Sequence, residues 1–478
     1  MDHKDDYFDS TEFGELMQRY DKSLQNGNSD FFSSDELADI AEFCYNSGDK
    51  QKADNALEYA IRTFPGAALP LVLKARIALS ERGDTDTARH YLSQIDNQLD
   101  LDCLYTKAEI LIQEGDVEGA DNLLRGSFDK IDDDDRPDYV LDVASLFVDY
   151  NCAQKAEWWL LKSDETDLED YREIKARIAF AKGDYEESQG MFEELLDENP
   201  FSTRYWNSLA STQLMGNHFN ESITSSEYSI AINPDNEQAL YNKANALFSL
   251  NNYEEALKYY ERYQRLCPDD GTGMLFIGNC HINMGHADDA LLCYLKALNM
   301  MRKQKMSTTE VLQCLAYAYS RLNQPDKAIE NVAEAMAQPD ANKAELLVVR
   351  GHIYLDSGNT KAAIRDYLDA IDMAGKTPEI FIKVAVSTYD CGFPSVAYRL
   401  LRTAFILDDN NTDTYAVSPY LASCCLQLNH YYEYLYFLRF ACEQFPLEAH
   451  RLFADRYPDR LDPKCYYKYE VSKTIDDA

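Results

Sequence analysis

The chain has 478 residues, 45% of them apolar and 27% charged, and carries a net charge of −37. That is the composition of a folded protein, and no stretch offers the roughly 18 consecutive apolar residues of a membrane-spanning helix. So acidic a field repels phosphate backbones and anionic lipid surfaces, which excludes nucleic acid and membrane as expected partners.

The acidity is uneven. Residues 1–200 hold 48 acids and 20 bases, a net of −28, whereas residues 201–478 hold 35 and 26, a net of −9. A basic protein segment is the partner such a field would attract, with solubility charge on outer helix faces as the alternative. The first residues, Met1 to Asp6, are acidic with no apolar stretch behind them, so no secretory signal is expected. None of the 12 cysteines forms a Cys-x-x-Cys pair. Reduced thiols in a cytoplasmic chain are the expectation.

In chain order, Glu12 to Leu24 reads as a helix and Asn26-Gly27-Asn28-Ser29 as a loop behind it. From there a turn residue recurs: Gly48, Gly83, Gly115, Asn151, Gly183, Asn217, Asn251, Gly285, Asn323, Gly358, Gly392 and Asn429. The spacings run from 32 to 38 residues. Only Gly and Asn stand in this column, the residues that enter the left-handed region cheaply to end a helix. Five residues on stands a small residue, from Ala53 and Ala88 through Ser188, Ser222 and Ala256 to Ala397, with Tyr434 as the departure. Seven residues before the turn a second small column runs from Ala41 through Ala244, Gly278 and Gly351 to Ala422, with Ala75 one position early. Nine residues after the turn the side chain is mostly large and apolar, as at Leu57, Tyr260, Tyr294, Val332, Tyr367 and Leu438. Small residues on two facing helices allow a close crossing, and the large one fills the groove beside a neighbouring pair. Pro65, Pro200, Pro234, Pro268 and Pro446 stop second helices.

Several segments strain this register. Asp132-Asp133-Asp134-Asp135 lacks the alternating acids and glycine of a calcium loop and reads as a solvated linker. His281 and His286 are five apart, which on one helix turns them to different sides, so no metal site is expected. Met300 to Met306 is a basic knob inside the widest spacing, where four extra residues fit one further helical turn. Ser307-x-x-Glu310 behind it reads as a capping box. Tyr434, in place of a small residue, should push the last two helices apart. The aromatics of residues 447–470, including Phe453, Tyr457 and Tyr466, are expected to cover that end. A homodimer through the same aromatic region is the alternative.

A period near 34, two helices per period and small, small, large and proline columns resemble the tetratricopeptide repeat family, over roughly residues 34–446. The sixth unit shows Trp206-x-x-Leu209-Ala210, then Ser222 and Pro234; the seventh shows Ala244, Tyr253, Ala256, Tyr260 and Pro268. The resemblance implies an all-α fold, a right-handed superhelical solenoid of antiparallel helix pairs with about twelve units. Residues 1–33 would form an acidic segment with a capping helix, and residues 447–478 a C-terminal capping helix and tail. It also implies that the first helix of each pair lines a concave binding face. Carried onto this chain, that face presents Arg204, Asn207 and Ser211, then Tyr241, Asn242 and Asn245, then Phe276, Asn279 and Asn283, and finally Gln313 and Tyr317. Asn245 and Asn279 hold equivalent positions, and amides suit the backbone of an extended peptide. Thr272 and Phe276 stand where chaperone-binding members carry basic residues, so a carboxylate clamp is not expected.

No phosphate loop, zinc-protease helix or nucleophile elbow is present, and the adjacent Cys424-Cys425 suits neither a chelate nor an easy disulfide. Outside the repeats remain 33 residues at one end and 32 at the other, too few for a catalytic domain. The reading is a non-catalytic scaffold that binds a protein or peptide, without cofactor or metal. A self-associating structural subunit and a regulatory subunit of a separate enzyme are the alternatives.

Overall fold

The structure is a computed structural model and describes residues 7–8, 10–26, 30–407, 417–458 and 460–476. Every regular element among these residues is helical, and the contacts divide the chain into two compact units, Met1–Asn233 and Pro234–Ala478. The expected loop at Gly27, Asn28 and Ser29 and the acidic Met1 to Asp6 lie outside the described residues.

In the first unit a lone helix, Thr11–Asn26, precedes six pairs. They are Ser34–Asn46 with Lys50–Thr63, Ala68–Arg82 with Thr85–Leu92, and Leu101–Gln113 with Val117–Phe128. Arg136–Asp149 with Ala153–Leu160, Glu169–Lys182 with Tyr185–Glu198, and Thr203–Met215 with Phe219–Ile232 complete it. The second unit continues with Glu237–Ser249 and Tyr253–Leu266, Gly271–Asn283 and Ala287–Lys303, and Thr309–Arg321 and Pro325–Met336. Next come Lys343–Asp356 with Thr360–Met373, Pro378–Asp390 with Pro394–Leu407, and Ser418–Gln427 with Tyr431–Gln444. Helices Pro446–Phe453 and Tyr466–Asp476 follow the last pair.

The turn column explains the pairing. All twelve of its Gly and Asn residues have positive φ, from 55° at Asn323 to 87° at Gly48. The next residue opens the second helix, and Asp49, Asp84, Asp116 and Asn359 each accept a bond there from the amide three positions on. In most pairs its amide closes on the carbonyl five back, as Asp49 does on Cys44. In the second pair Asp84 reaches six back, to Ala78, and that extra residue is why Ala75 stands one position early. Both small columns are buried throughout, so each pair crosses closely, and the core is a row of small clusters shared by adjacent helices.

The helix Thr11–Asn26 packs Phe13, Leu16 and Tyr20 in one cluster with Phe32, just ahead of the first pair, and with Leu37 and Ile40 inside it. Asp132 to Asp135 form an exposed turn, with the Asp135 amide on the Asp132 carbonyl. The helix Ala287–Lys303 runs 17 residues, one turn longer than its neighbours, as the wide spacing anticipates. The capping box behind it does not form. The next helix starts at Thr309 after Thr308, whose side chain makes no capping bond, because Ser307 instead donates to Asp340 and Thr309 donates to the same carboxylate at 2.9 Å.

Tyr434 does not wedge its pair open. It is fully buried with Ala422 opposite in the same cluster, and its ring turns toward the C-terminal segment. There its hydroxyl lies 2.9 Å from that of Tyr457 and donates to Glu470 at 3.4 Å, and Phe453 packs 6.1 Å from the ring. Tyr457 in turn stacks on Tyr466 with centroids 3.9 Å apart. The aromatic run splits by helical phase: Tyr434, Phe437 and Leu438 face inward, whereas Tyr432 is 90% exposed and Tyr436 stands in solvent beside it.

Candidate functional site

Within each unit the first helices of neighbouring pairs lie side by side, touching along their backbones in most pairs and through side chains such as Tyr241 on Phe276 in the others, so they line a common face. A residue reaches that face when it stands one position after, or three before, the small residue of its helix, because these positions share one side of a 3.6-residue turn. The first series runs Asn245, Asn279, Tyr317, His352 and Val386 in the second unit; the other includes Tyr241, Gln313, Val348 and Ile382.

Arg204 and Asn207 belong to the first unit and serve its own packing. Arg204 reaches across to the preceding pair and holds the buried Glu173 at 2.5 Å, while the Asn207 side-chain oxygen accepts from Ser229 at 2.8 Å. In the second unit Asn245 and Asn279 share one role. Each amide oxygen accepts a bond from a buried tyrosine hydroxyl of its own second helix, Tyr260 at 2.6 Å and Tyr294 at 2.8 Å. Asn283 is exposed with its amide nitrogen on the Asn279 carbonyl at 2.7 Å. The expected open amide ladder is thus partly spent on the core.

Asn242 is a correction. It is 2% exposed and accepts from Gln238 at 2.9 Å. One residue on from Tyr241 a helix has turned by about 100°, and that rotation takes Asn242 off the open side. Phe276, in the same column, is half-buried and stacks on Tyr260 with centroids 5.4 Å apart and planes 8° from parallel. Tyr241 meets it edge-on at 5.7 Å.

Gln313 and Tyr317 open onto a cavity of about 440 Å³ between the first helices of the ninth, tenth and eleventh pairs. The tenth helix contributes Glu345, Val348, His352 and Asp356, and the eleventh Ile382, Lys383, Val386, Ser387 and Asp390. Tyr317 lies 5.9 Å from the His352 ring. His352 Nδ1 is 3.1 Å from the Ser387 hydroxyl, which is itself 2.7 Å from that of Tyr367. Lys383 is tied to Glu345 at 2.6 Å, leaving Asp356, Asp390 and Arg321 as further charges on the wall. Sequence reasoning missed His352 and Asp390. The column of Asn245 and Asn279, carried two pairs further, leads to His352.

Cys391 Sγ lies 3.5 Å from His352 Nδ1. Burial pushes that thiol up to about 11 and holds His352 below its ordinary range. A nucleophilic cysteine needs the reverse, a thiolate beside an imidazolium, so this contact reads as packing. Burial also raises Asp390 above the usual carboxylate range, against the pull of His352, Arg451 and Arg321.

Two-helix units stacked so that their first helices share a face define the helical-repeat proteins, in which each unit buries its apolar side only against its neighbours. Family models described as tetratricopeptide repeat match residues 175–224, 237–270 and 344–377. The chain carries tetratricopeptide repeats at these residues. Repeats of this family serve as protein-interaction scaffolds and are generally non-catalytic. Among solved structures the chain is similar to a tetratricopeptide repeat protein from Parabacteroides merdae, with 15% identity and a TM-score of 0.44, over 53% of this chain and 97% of that one. It is also similar to the thermophilic repeat protein TTC0263 of Thermus thermophilus, with 22% identity and a TM-score of 0.33, over 39% and 100%. A third is the Cut9-Hcn1 hetero-tetramer of the APC/C, with 15% identity and a TM-score of 0.37, over 93% and 95%. No curated protein matches the chain. No helix among the described residues is long and apolar enough to cross a membrane.

Proposed function

We propose that the chain is a non-catalytic cytoplasmic scaffold that holds an extended segment of another protein along the concave, first-helix face of its second unit. The observation that carries this reading is the cavity at Gln313, Tyr317 and His352, where an aromatic ring, an amide and the acids Asp356 and Asp390 line one groove across three pairs. Concave sites of several hundred cubic ångströms with a few convergent polar groups are the usual places where ligands bind. Tyr241, Asn245, Asn279 and Asn283 extend the same face over the preceding two pairs, with Phe276 beneath them against Tyr260. The net charge of −37 favours a partner segment with basic residues. In this reading residues 1–33 and 447–478 close the ends of the repeats at 34–446.

A second reading, self-association through the aromatic end, draws on the exposed Tyr432 and Tyr436. Both are tested together. The partner is identified by affinity capture from native cells, and its affinity is then measured for Tyr317→Ala with His352→Ala and for Tyr432→Ala with Tyr436→Ala. Loss in the first variant alone supports the groove, and loss in the second alone overturns it.

A further inference from the structure

His281 and His286 come together instead of pointing apart. The first helix of the eighth pair ends at Asn283, and Gly285, with φ of 83°, reverses the chain. His281 therefore stands in the last turn of one helix, while His286 is the residue that opens the next. The two rings lie 6.1 Å apart between centroids. Asp289, one turn into the second helix, brings its carboxylate to the same spot. A ligand atom from each of the three lies within 4.8 Å of the other two. His281 Nδ1 is buried and meets no hydrogen-bonding group of the protein, a costly state for an imidazole nitrogen. His286 makes no capping bond that would compete for its ring.

We propose that His281, His286 and Asp289 form a binding site for a divalent transition cation of the zinc class. Two imidazoles and one carboxylate are borderline donors, which suit zinc, cobalt or nickel better than magnesium or calcium. Bonds of about 2.0–2.1 Å set tetrahedral ligands about 3.4 Å apart, within a small side-chain rotation of the present spacing. His286 and Asp289 are exposed, so both are free to make that rotation. Three protein ligands leave a fourth position for water or for a side chain of a bound protein. The cation would tie the end of one helix to the start of its partner, stabilising the eighth pair by mass action.

The repeat register explains how the cluster arises. Its members stand four positions before, one after and four after the turn residue, and the turn folds these three positions together. The twelfth pair carries Cys425, His430 and Glu433 at the same positions, also within 4.8 Å. There, however, Glu433 already accepts from the Tyr398 hydroxyl at 2.7 Å and faces Arg402 at 3.9 Å, so its carboxylate is committed. In the other ten pairs these positions never carry three His, Cys, Asp or Glu residues together.

The test is a Co2+ titration of the chelator-treated full chain followed by visible absorption. The expected result is a ligand-field band that saturates at one equivalent and lacks the charge-transfer band of a thiolate ligand. His286→Ala and Asp289→Asn should each weaken that binding at least tenfold, whereas Cys425→Ser leaves it unchanged. Metal-free melting curves of His286→Ala and Asp289→Asn should match the wild type, and added Co2+ should raise the melting temperature of the wild type and of Cys425→Ser but not of those two. A titration indifferent to His286→Ala and Asp289→Asn overturns the site. So does a thiolate band that disappears in Cys425→Ser, which would place the ion in the twelfth pair.

Discussion

A Cβ added to Gly278 would stand 2.4 Å from Cε1 of Tyr294, inside the van der Waals distance of any carbon pair. The tenth pair repeats the arrangement, with a Cβ on Gly351 set 2.5 Å from Cε1 of Tyr367. Glycine enters the small column where a tyrosine from the second helix lies across it. Where the facing residue is Val332 or Leu401, the column holds Ala316 or Ala385. Tyr260 faces Ala244 without this demand, its ring being drawn onto Phe276.

Gly278→Ala is therefore expected to destabilise the protein by about 1–3 kcal/mol, through overpacking. In an open helix the same change would stabilise by up to about 1 kcal/mol. Urea unfolding decides the sign. Combined with Tyr294→Leu, the substitution should cost less than the sum of the two single changes, since the clash is gone.

Asn245→Ala removes the acceptor of the buried Tyr260 hydroxyl and should cost about 1–3 kcal/mol. In a Tyr260→Phe background the same substitution should cost clearly less. The coupling energy from this double-mutant cycle measures the structural share of Asn245, separately from any loss of binding.

His352 gives the stability a defined pH dependence. Burial lowers its pKa below 6.5, so the folded chain binds fewer protons than the unfolded one as pH falls through that range. Its contribution is complete above the ordinary imidazole range and is lost on acidification. Asp390 acts with the opposite sign: burial raises it above 3.8, so folding takes up protons there and acidification relieves its cost. His352→Gln should accordingly lose less stability than the wild type between about pH 7 and about pH 5, as read from urea midpoints at each pH.

Truncation after Pro446 should uncover Tyr434, Phe437 and Leu438 and leave the Tyr434 hydroxyl without Tyr457 and Glu470. A lower melting temperature and concentration-dependent association in sedimentation are expected. An unchanged monomer with an unchanged melt would remove the packing role assigned to residues 447–476.

For the partner segment, Tyr317→Ala should weaken binding by about 1–3 kcal/mol, mainly by faster release. Raising the salt concentration should slow association more than it speeds release, because the acidic charge acts at long range. Both are read from on-rates and off-rates at two salt concentrations.

The helix pairs were legible because their punctuation is local. Gly285 or Asn323 must adopt positive φ whatever surrounds it, and a small residue five positions on needs no knowledge of the fold. What escaped depends on partners brought from afar. Ser307 and Glu310 have the spacing of a capping box, but Asp340, more than thirty residues on, takes the serine hydroxyl. His281 and His286 were placed on one helix, and the turn between them reverses their geometry. Asn245 reads as a free amide until Tyr260, fifteen residues away, claims its oxygen. Tyr434 was recognised as a misfit, but its direction follows from Tyr457 and Glu470.

The amide-to-tyrosine bonds also bear on how such a face can diverge. At Asn245 and Asn279 a change that improves recognition of a new partner strands a buried hydroxyl, so the core constrains those positions. Tyr317 and Val386 stand in the same column opposite Val332 and Leu401, which have no hydroxyl to satisfy. Selection can exchange them at little structural cost. Recognition is therefore easier to alter in the ninth and eleventh pairs, while the core holds the seventh and eighth to their amides.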